Sequence, residues 1–218
     1  MSSATGSNIN YLRSLQRIKL ICIVIEQSIM DFDIDIERSA KALGNGELIL
    51  YPTDTIWGIG CDATNEAAVQ QIYALKKRSD EKTMIVLLAD EKDIAQYVTQ
   101  PDPKVFDYIK GIYKPTTVIY DGATGLAKNI INKDGSIAIR IVKDPFCKEL
   151  IKSFGKPVVS TSANVSGYPP PAIYADIDVV IKNGVDYIVQ HRRDDLTEAL
   201  PSAIVKWNAD GSLSIIRS

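Results

Sequence analysis

From residue 33 onward the apolar positions switch between a helical period and a period of two, and the switching predicts helices and strands in turn. Ile36, Ala40 and Leu43 recur at helical spacing, and Gly44-Asn45-Gly46 closes that helix. Leu48-Ile49-Leu50-Tyr51 is a short apolar run, which predicts a buried strand stopped by Pro52. Asn65 is placed to cap a helix whose inner face is Ala68, Val69, Ile72 and Leu75. Met84 to Ala89 predicts a continuous apolar strand, Pro101 to Ile112 a helix, and Thr116 to Tyr120 a further strand.

Residues 136–142 alternate strictly. Ile137, Ile139 and Ile141 take one face, while Ser136, Ala138, Arg140 and Val142 take the other. Asp144-Pro145 then forms a cap and first turn for a helix that ends at Gly155. Pro157 to Ser160 is a strand running into a long polar loop. Val185 to Val189, Ala203 to Trp207 and Ser212 to Ile216 close the pattern as strands, the last two joined through Asn208-Ala209-Asp210-Gly211. No repeat or linker interrupts the series. It predicts a single α/β (α+β) domain over residues 30–218, with a mixed sheet carrying helices.

Residues 1–29 differ in character. Met1 to Asn10 is poor in core formers, and the apolar run Leu20 to Ile25 is far too short to span a bilayer. Glu26 and Gln27 stand where a signal peptide would need small residues. We expect this stretch to be a dispensable N-terminal extension, disordered or lying upstream of a start near Met30.

Composition narrows the chemistry. Twenty-five basic against 27 acidic side chains leave a net charge of −2, so no global positive field gathers nucleic acid, although a local basic face is compatible with it. His191 is the single histidine, which excludes a multi-histidine metal site. Cys22, Cys61 and Cys147 show no CxxC spacing and read as small hydrophobes in a reducing compartment, hence a cytoplasmic protein without a membrane partner.

Four polar segments sit at predicted strand ends or faces. In Tyr51-Pro52-Thr53-Asp54-Thr55-Ile56-Trp57-Gly58-Ile59-Gly60, two threonines and a carboxylate follow a strand, and two glycines permit close backbone approach. Alone, this segment reads equally as a hydrogen-bonded turn. Lys76-Lys77-Arg78-Ser79-Asp80-Glu81-Lys82 ends a helix, where cations are usually solvated; Lys76 and Arg78 share a ligand only if the helix unwinds between them. Arg140, in a largely apolar strand, needs either a structural salt bridge or an anionic ligand. Ser160-Thr161-Ser162-Ala163-Asn164-Val165-Ser166-Gly167 crowds hydroxyls and an amide at a strand end, suited to phosphate oxygens but without Walker or dinucleotide-binding spacing. Together the four favour a phosphate-bearing anionic ligand.

The strings Y-P-T-D-T-I-W-G-I-G, L-K-K-R, S-I-A-I-R-I and S-T-S-A-N-V-S-G, in this order and separation, resemble the YrdC-type threonylcarbamoyl-adenylate synthase family over roughly Asp33 to Arg217. The resemblance implies an open, twisted mixed sheet around a deep concave cavity. It also implies an enzyme that joins L-threonine, bicarbonate and ATP into threonylcarbamoyl-adenylate and pyrophosphate, for threonylcarbamoyladenosine in tRNA. By position it assigns Thr55, Trp57 and Arg140 to threonine, with Trp57 replacing a family tyrosine. Lys76 and Arg78 fall to catalysis at the phosphates. Arg78, Lys82, Ser136, Ser160, Ser162, Asn164 and Arg217 fall to the nucleotide. Mg2+ is expected to ride on ATP, with no protein metal ligands. Implied partners beyond the substrates are tRNA or double-stranded RNA and the enzymes that transfer the threonylcarbamoyl group. In this reading Arg140 meets no protein carboxylate in the empty enzyme.

The chain departs from the family pattern at Leu87, where many members carry histidine, at Ala203, at Lys82, and at Tyr113-Lys114-Pro115. Two other function classes compete: an RNA-binding module without synthase activity, and a related carbamoyl-adenylate-forming enzyme. Release of pyrophosphate separates the first, and amino-acid dependence the second.

Overall fold

The computed structural model describes residues 32–77, 84–208 and 210–218, together with residues 17 and 19. The N-terminal extension expected over 1–29 otherwise lies outside the described residues, as do Arg78 and Lys82. The strands are β1 (Ile49–Tyr51), β2 (Gly58–Gly60), β3 (Ile85–Leu88), β4 (Thr116–Tyr120), β5 (Ile137–Ile141), β6 (Val158–Ser162), β7 (Tyr187–Ile188), β8 (Ala203–Trp207) and β9 (Leu213–Arg217). Among the described residues they form one nine-stranded sheet in the order β7-β1-β2-β6-β3-β5-β4-β8-β9. The pairs β1/β7, β3/β5 and β4/β8 are parallel and the other neighbours antiparallel, so the sheet is mixed as the pattern predicts.

The helices are α1 (32–44), α2 (Glu66–Lys76), α3 (Pro103–Gly111), α4 (Pro145–Phe154) and α5 (Val179–Asn183). Their ends follow the local signals. Asn65 accepts from the amides of Ala67 and Ala68 at the start of α2, and Asp144 accepts from Cys147 N ahead of Pro145 in α4. Gly155 ends α4 in the left-handed conformation, with φ of 77°.

Strand alternation sends side chains to two cores. On one face Leu50, Ile59, Val86, Ile137 and Ile139 pack with α2 residues Ala68, Val69 and Ile72, Val105 of α3 and Ile181 of α5. On the other, Ile49, Tyr51, Leu87 and Val158 pack with Leu43 of α1 and with Phe146, Cys147 and Leu150 of α4. Ile137 and Ile139 fall on one side and Arg140 on the other, as the alternation requires.

One strand escapes the sequence pattern. β2 is Gly-Ile-Gly, a composition that disfavours strands, and it pairs on both sides, with β1 and β6. The close approach predicted for these glycines is real. A Cβ at Gly60 would lie 2.6 Å from the Tyr51 ring and 3.0 Å from Val159 O, and one at Gly58 would lie 2.9 Å from Ser160 Oγ. Tyr51 is fully enclosed and donates to Val159 O, so its ring has nowhere to go. Gly60→Ala is therefore expected to cost about 1–3 kcal/mol through overpacking, read as a lower melting temperature with unchanged secondary-structure content.

Beyond the sequence expectation lie three 3-10 turns, at Glu91–Gln96, Lys128–Ile130 and Tyr174–Asp176, and α5. β7 is shorter than its predicted run, with Tyr187 and Ile188 in register with β1 and Val189 N bonded to Leu50 O beyond them.

Candidate functional site

The helices α1 and α4 cover only part of their face of the sheet. Beyond them that face is bare across β6, β3, β5, β4 and β8, and it floors a cavity of about 460 Å³. Ala138 and Arg140 of β5, Ile119 of β4 and Ile204 of β8 form its floor. Thr55, Ile56, Trp57 and Gly58 enter from the β1–β2 connection, Ser160 to Ser162 from β6, and Ile216 and Arg217 from β9. The first, third and fourth polar segments thus converge on one concavity, although their sequence positions span most of the chain.

Arg140 is 3% exposed, and its Nη2 lies 3.1 Å from Oδ1 of Asp54, whose side chain is 8% exposed. This corrects the expectation that Arg140 meets no protein carboxylate. The physical reason is plain: a guanidinium enclosed to this degree requires a counter-charge, and the β1–β2 turn supplies one. The pair is close but poorly aligned. Neither carboxylate oxygen of Asp54 takes part in a directional hydrogen bond, and Arg140 Nε has no acceptor. Leu87 sits directly opposite Arg140 in the β3–β5 ladder and is wholly buried.

The β1–β2 connection is tightly wired. Thr53 Oγ1 lies 2.9 Å from Thr55 Oγ1, accepts from Thr55 N at 3.0 Å and donates to Ile56 O at 2.9 Å. Arg192, at a left-handed φ of 64°, donates through Nη1 to Thr53 O and lies 3.4 Å from Asp144. Trp57, 6% exposed, leans on Tyr174 at 4.9 Å between ring centroids. Tyr174 in turn lies beneath the cations of Lys182 and Arg193. Sequence reasoning marked Asp54 only as a carboxylate in a polar turn, and did not single out Arg192 or Tyr174. Their partners lie far away in the chain, and no local spacing marks them.

Lys76 is enclosed rather than solvated at its helix end: it is 2% exposed, and its Nζ donates to Ser162 O and, at 2.6 Å, to Asn164 O. Ser166 N bonds back to Lys76 O at 2.9 Å. The helix does stop where the sequence suggested, because Lys77 is its left-handed cap. Lys76 therefore faces inward as the peg that ties α2 to the polar loop after β6.

Ser136 is not among the residues that line the cavity. Its hydroxyl donates to Asp134 Oδ1 at 2.6 Å and accepts from Asn132 Nδ2, which commits it to its own turn. Asn164 spends its amide N–H groups on Val165 O and Tyr168 O, leaving a buried Oδ1 without a donor. Arg217 reaches the cavity from the edge strand and donates through Nε and Nη2 to Ser202 O at 3.0 and 2.8 Å. Burial and then the charge of Arg140 push its pKa below the ordinary arginine value. With Arg140 matched by Asp54, Arg217 sets the positive character of the wall.

Among the described residues no three His, Cys, Asp or Glu side chains group closely enough to hold a metal ion, and no helix is long and apolar enough to cross a membrane.

The profile of the Sua5/YciO/YrdC family, described as telomere recombination, matches residues 41–218. A threonylcarbamoyl-AMP synthase of Coxiella burnetii is 31% identical over 186 residues, covering 81% of this chain and 98% of that protein. The fold is similar to that of P. abyssi Sua5 complexed with L-threonine (TM-score 0.74, 20% identity), matching 84% of this chain but only 53% of the longer Sua5. E. coli YciO matches over 84% of this chain and 88% of its own, with TM-score 0.70 and 21% identity. The open mixed sheet, the cavity at its uncovered face and the profile spanning most of the chain lead to one conclusion: the chain belongs to the Sua5/YciO/YrdC family.

Proposed function

We propose that the protein makes threonylcarbamoyl-adenylate from L-threonine, bicarbonate and ATP, releasing pyrophosphate, as the first step of threonylcarbamoyladenosine formation in tRNA. The reading is supported by one observation: a buried guanidinium at the cavity floor shares a single cavity with Ser160, Ser162 and Arg217. A cavity so lined suits a ligand carrying both a carboxylate and phosphates, and the likeness to curated synthases suggests its substrates.

The chemistry asks little covalent work of the protein. The amine of threonine adds to carbon dioxide derived from bicarbonate, giving a carbamate. A carbamate oxygen then attacks the α-phosphorus of ATP, and pyrophosphate leaves as the P–O bond breaks. Positioning and charge neutralisation supply the acceleration. Arg140 holds the amino-acid carboxylate, while Thr55 and Trp57 shape the pocket around its side chain. Ser160, Ser162 and Asn164 Oδ1 offer hydrogen bonds to the nucleotide, and Arg217 offsets phosphate charge. Lys76 acts through the loop it pins and is a positioning residue. Arg78 serves the phosphates and Lys82 the nucleotide. Mg2+ would come with ATP, held by the phosphates and its own waters. ATP and tRNA as substrate and downstream target fit a cytoplasmic protein, whose product is consumed by separate transferring enzymes.

Measuring pyrophosphate release with ATP, bicarbonate and each amino acid in turn tests the proposal. Release that requires both threonine and bicarbonate is expected. Release without an amino acid, or none at all with threonine, would overturn it.

A further inference from the structure

Asp54 and Arg140 form a buried pair whose members meet at 3.1 Å without satisfying each other. Both Asp54 oxygens and Arg140 Nε are left without a directional partner. A guanidinium offers a fork of parallel N–H donors, and a carboxylate lying in its plane takes two at once. Asp54, fixed to the turn between β1 and β2, does not reach that geometry. A carboxylate entering through the cavity, on which Arg140 opens, can.

Charge then constrains what else must enter. If a simple anion takes Arg140, the displaced Asp54 becomes an uncompensated buried carboxylate, which is costly. A neutral zwitterion avoids this, because it carries one charge of each sign. Resting on the reading that Arg140 receives the substrate carboxylate, we propose that Asp54 is an exchangeable counter-ion. An α-amino acid zwitterion inserts into the buried pair, its carboxylate taking Arg140 and its ammonium taking Asp54. One buried ion pair becomes two, and every charge in the bound complex is matched until the ammonium gives up the proton that carbamate formation requires. Selection for the zwitterion thus arises from repulsion of wrong ligands as much as from attraction of the right one. A monoanion strands Asp54, and a monocation strands Arg140. Thr55, immediately after Asp54 and on the cavity wall, sets how far the carboxylate can swing, through its hydrogen bonds to Thr53.

Titration calorimetry with three probes tests this: L-threonine, 3-hydroxybutyrate (the same skeleton without the amine) and 1-amino-2-propanol (without the carboxylate). Wild-type protein is expected to bind threonine at least a hundredfold more tightly than either analogue. Asp54→Asn keeps the shape and removes the charge; it should weaken threonine at least tenfold while leaving 3-hydroxybutyrate unchanged or tighter, because the competing carboxylate is gone. A merely structural Asp54 would weaken both ligands together, and that result overturns the proposal. If Asp54→Asn does not fold, the wild-type ratios decide alone: 3-hydroxybutyrate within threefold of threonine would sink the exchange. Threonine-dependent pyrophosphate release alongside such equal binding would remove the exchange and spare the synthase reading. Strong zwitterion selectivity without any release would do the reverse.

Discussion

Lys76→Ala is expected to lower the melting temperature by about 10 °C and to reduce turnover at least a hundredfold. The ammonium donates to the carbonyls of Ser162 and Asn164 from a position that is 2% exposed. Hydrogen bonds from a charged donor contribute roughly 1.5–3 kcal/mol each, and removing the donor leaves both acceptors unpaired, so a loss of about 3–5 kcal/mol follows. For a chain of this size each kcal/mol shifts melting by about 2–4 °C. The loop that loses its peg carries Ser162 and Asn164, so turnover falls with it. Lys76→Arg does not restore either quantity, because a wider guanidinium must be packed into an enclosed space. A differential scanning experiment beside a pyrophosphate assay checks both. Unchanged melting would return Lys76 to the surface of its helix.

The second large effect is at Arg140. Arg140→Met leaves Asp54 as a buried carboxylate without its counter-charge, a loss of about 3–5 kcal/mol. Removing both partners as Arg140→Met with Asp54→Asn should recover much of that stability, because no unpaired charge remains. Threonine binding should stay lost in the double variant, since neither charge is available to the ligand. Thermal melting of the two single variants and the double one gives the coupling between the residues, and calorimetry with threonine gives the other half. Additive stability losses in the cycle would mean that the two side chains do not form an energetic pair.

The contrast between these residues shows what a sequence can reveal. Arg140 was legible as a cation on the face opposite Ile137 and Ile139, because a period of two places side chains without knowledge of neighbours. The caps at Asn65 and Asp144 were legible for the same reason, each being a contact within three residues. Lys76 was legible as a position and misread as an environment. Its burial depends on carbonyls 86 and 88 residues away, and a basic residue in the last turn of a helix looks the same whether it is solvated or enclosed. Asp54 was hidden for the mirror-image reason, since nothing local says which of several polar residues in a turn will face a guanidinium from another strand. β2 was missed because its glycines lower strand propensity, and the need for them lies in the Tyr51 ring and Ser160.

The placement of β9 carries a consequence for how the site exchanges its contents with solvent. The cavity wall that bears Arg217 is the outermost strand of the sheet, bonded on one side only, to β8, with a register shift between Ile204 and Val205. Ile215 and Ile216 are 70% and 59% exposed, so little apolar burial resists its departure. Local opening free energies scale with such burial and bonding, which makes this hairpin among the cheapest parts of the sheet to unzip. The other walls are set mainly by inner strands and the β1–β2 connection, and they stay in place when it does. A bulky adenylate can therefore leave by fraying of a sheet margin, with no hinge between domains and no loosening of either core.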